Sequence, residues 1–189
     1  MDLNRIVKRI RSFILSPSQE WEKIAQEKAT NKNLVFQYII PVILFSSLFI
    51  FAGRILNWED HSAGNGALAV LSFLLIAFFT LYLSAFIINE LLPKFDADKN
   101  LNRTFKLIIF SSLPALIVYG ISSFHPQMGF FNYVSLYSIV LYWRGVKPLL
   151  GLPADKLTGF ALISLLIIGA LLMIISLVIM SAIIYFSVY

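Results

Sequence analysis

Thr158–Val188 reads TGFALISLLIIGALLMIISLVIMSAIIYFSV, 31 residues without one Asp, Glu, Lys or Arg. At 1.5 Å per helical residue, about 20 residues cross a hydrocarbon core of about 30 Å, so this run exceeds the need and is expected to tilt or project. Working back toward the amino end, four more apolar runs occur, over about Asn33–Ile55, Ala67–Leu92, Thr104–Phe124 and Gly129–Trp143. The first three are long enough to cross. Gly129–Trp143 has only 15 residues. It is expected to cross where the bilayer is thin, to draw on Gln127 and Met128, or to lie as a short helix behind the others.

The charges between the runs orient them. Arg5, Lys8, Arg9, Arg11, Lys23, Lys28 and Lys32 precede the first run, Lys94, Lys99, Arg103 and Lys106 surround the second gap, and Arg144, Lys147 and Lys156 fill the fourth. Only Arg54 falls on the other side. Such alternation is what the positive-inside rule produces and a water-soluble fold has no reason to show. With 59% hydrophobic and 13% charged residues, the chain also has too little polar surface to clothe a soluble domain. The reading is an all-α membrane protein, a five-transmembrane-helix bundle with an amphipathic amino-terminal interfacial helix. Its amino end is expected in the cytoplasm and its carboxyl end outside. Residues 1–32 form a cytoplasmic arm and residues 33–189 the membrane domain.

In Leu3–Leu15 the apolar residues Leu3, Ile6, Val7, Ile10, Phe13 and Ile14 recur at three- and four-residue steps, with Arg5, Lys8, Arg9 and Arg11 mostly opposite. That pattern suits a helix lying on an anionic lipid surface, where each cation gains about 1 kcal/mol; the alternative, compatible with it, is a helix that packs on the cytoplasmic ends of the spans. The four basic residues are the candidate lipid-surface set. A second helix is expected from Ser16, with Pro17 in its first turn, Gln19 completing a capping box, and Trp21 as an interface anchor. The apolar stretch after Arg11 is too short for a cleaved targeting peptide, so the first span is expected to act as the insertion signal.

Three stretches carry a family resemblance. Pro17-x3-Trp21-x2-Ile24-x2-Glu27 resembles the amino end of bacterial membrane proteins of the Yip1 family, and Ser112–Gly120 (SLPALIVYG) is similar to the family's third span. The most specific match is Leu136–Gly145 (LYSIVLYWRG), continuing through Lys147–Lys156 (KPLLGLPADK). The resemblance implies five spans and, from its bacterial character, the plasma membrane of a prokaryote. Eukaryotic members associate with Rab-type GTPases and carry a segment of the type Asp-Leu-Tyr-Gly-Pro. This chain has no such segment, so that role is not carried over.

Few residues stand out as sites. Asn89 and Glu90 near the end of the second span, with Arg144, Lys147, Asp155 and Lys156 on the same side, form a candidate polar or partner site; Glu90 and Arg144 are expected at similar depth and within pairing reach. Pro41 and Pro114 are candidate kinks, with Ser111 and Ser112 expected to satisfy the backbone freed at Pro114. Tyr133 and Tyr137, four apart, are expected to share a helix face and to bond inside the bundle near Tyr119, Ser122 or Asn132. Arg54 is expected to snorkel or to meet Glu59 or Asp60. Gly159, Ala161, Gly169, Ala170, Ser176 and Ala182 line the last span with small residues suited to close helix contact.

Catalytic patterns are not found: His61 and His125 lack clustered acids, there is no phosphate-cradling loop, and Cys is absent. No cofactor, metal or nucleic acid is expected. The reading is a non-enzymatic membrane organiser that binds anionic lipids at its cytoplasmic face, itself, or other membrane proteins. The alternative is a small carrier or channel for a lipid or solute, with the Pro114 break and the tyrosine face as its path. Reporter fusions after Asn65, Asp98, Gln127, Asp155 and Tyr189 should read out, in, out, in, out. A cytoplasmic carboxyl end would sink the five-span reading.

Overall fold

The computed structural model describes the backbone of residues 3–27, 30–57 and 62–188, and within these the side chains of 8–27, 30–56 and 62–185. Among them every element is helical. Helices α1 (Leu3–Leu15) and α2 (Pro17–Gln26) form a hairpin turned at Ser16. Pro17 opens α2 as its fixed φ favours, but the Ser16 hydroxyl makes no capping bond. Short α3 (Asn31–Leu34) runs through a π-helical turn, Val35–Ile39, into α4 (Ile40–Asn57). The wide turn stands directly before Pro41, the expected kink, and the Ile40 N–H reaches back to the Val35 carbonyl. Proline crowds the turn before it and donates nothing, and a π turn opens the ladder there.

Helix α5 (Ala63–Leu91) passes through a 3-10 turn, Leu92–Phe95, and ends at Asp96 in the left-handed conformation (φ 56°). Helix α6 (Leu101–Phe124) starts at Asn100, whose side chain accepts from the Arg103 N–H at 3.1 Å. A 3-10 segment, Pro126–Leu136, leads to α7 (Tyr137–Leu150), which Gly151 closes at φ 65°, a conformation glycine adopts without strain. The long α8 (Ala154–Val188) follows.

Among the described residues, four helical stretches are long and apolar enough to cross a membrane: Asn31–Leu56, Ala63–Phe95, Leu101–Phe124 and Ala154–Tyr185. The expected fourth span, Gly129–Trp143, is not a single helix. Its first part is 3-10 and its remainder belongs to α7, which continues seven residues past Trp143 to Leu150.

Contacts along α6 set the directions of its neighbours. Asn102 donates to Asn31 at 2.7 Å, Phe110 packs on Tyr38 at 4.9 Å, and the Ser46 hydroxyl donates to the Leu116 carbonyl at 2.8 Å. Both numbers rise together, so α4 and α6 run side by side in one direction. On the other flank Ser122 donates to Asn132 at 2.7 Å and the Ala115 N–H to the Ser138 hydroxyl at 3.2 Å, while Gly145 lies against Leu107. Here one number falls as the other rises. The 3-10 segment and α7 therefore return antiparallel along α6. Phe95 on Phe160 at 5.3 Å and the Lys156–Asp96 ion pair fasten the start of α8 beside the end of α5. Lys94, Lys99, Arg103, Arg144, Lys147 and Lys156 consequently gather at one end, the basic face.

Helix α6 is the centre: Thr104 to Ser111 are buried without a break. Glycines let its neighbours approach. A Cβ on Gly120 would lie 2.6 Å from the Ser46 Cα, and one on Gly53 would lie 2.5 Å from the Ser123 carbonyl oxygen. By contrast α8 is buried at Phe160, Ala161 and Ser164 and largely bare beyond them among the described residues; of Gly159, Ala161, Gly169, Ala170, Ser176 and Ala182, only Ala161 is buried.

Gly120→Ala should thus lower the detergent melting temperature by the equivalent of about 1–3 kcal/mol of overpacking. Gly129→Ala, where a Cβ meets nothing within 4 Å, should leave it unchanged. Equal melting of the two variants would show that the α4–α6 contact is loose.

Candidate functional site

The densest polar cluster lies where the hairpin meets the bundle. Glu20, Ile24 and Glu27 recur at i, i+4 and i+7, so α2 turns two carboxylates onto the face that also buries Trp21. Trp21 is 0% exposed. It lies edge-on to Phe13 at 5.1 Å, near Phe110 at 6.4 Å, and against the bare Cα of Gly145, where a Cβ would come within 2.7 Å of the indole. Its expected place as an interface anchor is therefore overturned: glycine at 145 opens the space that a whole indole fills.

Arg9 joins this cluster instead of facing lipid. Its guanidinium donates to Glu20 at 2.7 Å, to Glu27 at 2.5 Å and to the Tyr38 hydroxyl at 3.1 Å, and stands 5.2 Å from the Phe110 ring centre. Burial opposes its charge, but hydrogen bonding to Glu27 and Tyr38 outweighs that and its pKa is raised above the ordinary guanidinium value. Of the other candidate lipid-surface residues, Lys8 and Arg11 are exposed, and the side chain of Arg5 lies outside the described residues. A second buried cation, Lys106 of α6, donates to the carbonyls of Ile24 and Glu27 at the carboxyl end of α2. A cation is favoured there by the helix dipole and the unsatisfied carbonyls. Two cations thus meet two carboxylates beside Phe13, Trp21 and Phe110, Glu20 buried and Glu27 partly open.

The expected polar site is only partly assembled. Glu90 pairs with Lys99, not Arg144: the turn after α5 brings Lys99 back over Glu90, while Arg144 is exposed on α7. Asn89 is buried with its side-chain oxygen unpartnered. Lys156 pairs with Asp96, and Lys147 and Asp155 are exposed. A hollow of about 450 Å³ beside them is lined by Asp96, Asp98, Lys99, Asn100, Arg103 and Gly151. Arg54's expected partners, Glu59 and Asp60, lie outside the described residues, as does His61.

The tyrosines separate. Tyr133 is 78% exposed, whereas Tyr137 turns inward and donates to the Phe13 carbonyl at 2.8 Å. Four residues share a face in an α-helix, but with three residues per turn in the 3-10 segment they point apart. Tyr119 is half-exposed and stacks on Phe73 at 5.5 Å. Near Pro114 the hydroxyls of Ser111 and Ser112 bond to the carbonyls of Leu107, Ile108 and Ile109, and Ser138 of α7 accepts from the Ala115 N–H. The help expected from within α6 at the proline comes in part from its neighbour.

Because the Arg9 and Glu20 side chains are only 10% and 7% exposed, Arg9→Gln and Glu20→Gln should each cost on the order of 3 kcal/mol in stability, with the double change costing less than the sum in a detergent melt. Glu90→Gln breaks a half-exposed pair and should cost less than about 1 kcal/mol. Additive losses at Arg9 and Glu20 would dissolve the cluster.

A protein-family model described as Yip1 domain matches residues 11–177. The match runs from the last turns of α1 well into α8 and takes in Glu20, Glu27, Tyr38 and Lys106, while Arg9 lies ahead of it. No curated protein and no solved structure matches the chain.

Proposed function

The chain belongs to the Yip1 domain family, and on that premise we propose that it is a non-enzymatic membrane organiser that crosses the bilayer five times and holds lipids and partner membrane proteins. We place it in a prokaryotic plasma membrane, basic face to the cytoplasm. Length supports the fifth crossing. A 3-10 helix rises about 2.0 Å per residue against 1.5 Å for an α-helix, so the 11 residues of Pro126–Leu136 and the 14 of α7 extend about 40 Å together. That exceeds a hydrocarbon core of about 30 Å, and the pair runs beside α6, itself long enough to cross. Phe130, Val134, Leu136, Ile139 and Val140 are exposed along it, as lipid contact requires.

The close glycine contacts of α6 with α4 and α7 carry the organiser reading. Backbones that meet at Gly53 and Gly120, and the Trp21 and Leu107 side chains packed on Gly145, fill the space between helices that a solute path would use. Recognition then falls to the outside. Lys94, Arg144 and Lys147 are exposed at the basic face, where anionic headgroups attract them. The bare stretch of α8 presents Gly169, Ala170 and Ala182, small residues that let another membrane helix come close.

The full chain extracted in mild detergent should retain anionic phospholipid, and changing Lys94, Arg144 and Lys147 together to Gln should remove most of it. Since the chain has no Cys, Gly169→Cys can be oxidised in native membranes and should give a cross-linked species heavier than the monomer. Monomer alone, no retained lipid and solute flux in proteoliposomes would overturn the reading in favour of a carrier.

A further inference from the structure

Ile14 and Leu15, at the tip of the α1–α2 hairpin, are 64% and 68% exposed. Their neighbour Phe13 is buried against Trp21 and Phe110, and its carbonyl takes the Tyr137 hydroxyl. These contacts fix the height of the tip. Phe110 lies about 14 Å along α6 from Leu101, and Ala115, which meets Ser138 beside Tyr137, lies about 21 Å along it. The tip sits between those levels. Phe36, two residues before the Tyr38 that packs on Phe110, is likewise apolar and 59% exposed.

The stem is different in character. Arg11 and Lys8, one and two turns back from the tip along α1, are exposed, as are Ser18, Gln19, Glu22 and Lys23 on the outer side of α2. An apolar tip on a polar stem with more basic than acidic residues matches the gradient from acyl chain to anionic headgroup. The hairpin is also stiffly mounted. Arg9 ties it to Tyr38, Lys106 holds the end of α2, and Trp21 fills the gap at Gly145.

We propose that the α1–α2 hairpin is a one-leaflet wedge. Ile14 and Leu15 enter the acyl chains of the leaflet at the basic face, and Lys8, Arg11 and Lys23 hold the stem among its headgroups. Near that face the cross-section contains α1 and α2 besides the crossing helices, each about 10 Å wide; toward the far face the hairpin is absent. Extra volume in one leaflet makes the protein favour membrane that bulges toward its basic face. The proposal rests on the crossing arrangement given above, which the reporter fusions test by themselves.

Nitroxide labels at Leu15→Cys, Ile14→Cys, Lys8→Cys and Gln19→Cys, each in the full chain reconstituted in phosphatidylcholine–phosphatidylglycerol vesicles, would measure depth. Labels at 14 and 15 should collide with oxygen and be shielded from a water-soluble nickel complex, and those at 8 and 19 should show the reverse. In parallel, molecules with the basic face outward should be enriched per unit area on small over large vesicles. Changing Ile14 and Leu15 together to Ser should abolish that enrichment without lowering the melting temperature, since both side chains are exposed. A label at 15 as open to nickel as one at 8, or native protein without a size preference, overturns the wedge. Should the label at 15 prevent folding, the label at 14 and the vesicle sorting decide. Failure of these tests with the reporter pattern intact removes the wedge alone, whereas a failed reporter pattern removes the crossing arrangement.

Discussion

The rest of the structure depends on burying Thr104 to Ser111 of α6 on every side while one of these residues, Lys106, is a lysine. An ammonium enclosed by apolar side chains is tenable only when its donors are met and its charge is balanced. Lys106 meets both conditions at the carboxyl end of α2, whose last carbonyls point at it, with Glu27 close by. This makes the amino-terminal hairpin part of the core instead of an appendage. Without it Phe110, Leu107 and Lys106 would lose the indole and the carbonyls that cover them.

Once α2 is fixed, the other contacts at that level follow. Its inward face carries Glu20 and Glu27 along with Trp21, so burying the indole also buries carboxylate, and Arg9 of α1 answers that charge. The Arg9 fork reaches both acids and the Tyr38 hydroxyl at the π turn, which joins the hairpin to the first membrane-crossing helix as well as to α6. The indole in turn requires glycine at 145, so the return limb α7 is positioned by a side chain more than a hundred residues earlier. Outside the cluster, Lys94, Arg144 and Lys147 stay exposed at the basic face, while Lys99 and Lys156 pair with Glu90 and Asp96.

Much of this was legible in one dimension. Burial in lipid is decided by residue type over twenty positions at a time, which is why Asn33–Ile55, Ala67–Leu92, Thr104–Phe124 and Thr158–Val188 correspond closely to the four described helices long and apolar enough to cross a membrane. Glu20 and Glu27 on the face of Trp21 were a readable sign that α2 points acid inward. Arg9 was not readable in that way, because its spacing among Arg5, Lys8 and Arg11 suits a solvent-facing stripe as well as a buried donor. Tyr133 and the Glu90 partner were misplaced because both depended on local geometry: three residues per turn after Pro126, and a left-handed Asp96 that folds Lys99 back over Glu90.

Composition and charge spacing by themselves determined that the chain is a helical membrane protein, where most of its crossings lie and which loops share the basic face. Those properties are sums over many residues, and no single contact can reverse them. Tertiary structure alone decided that the hairpin belongs to the core, that Arg9 and Lys106 are internal, and that the segment after Pro126 is 3-10. Each of these turns on which distant side chains meet. A cation is buried only where carbonyls or carboxylates from another helix converge on it, and a helix tightens or widens according to the neighbours it must pack against, neither of which is written in local sequence.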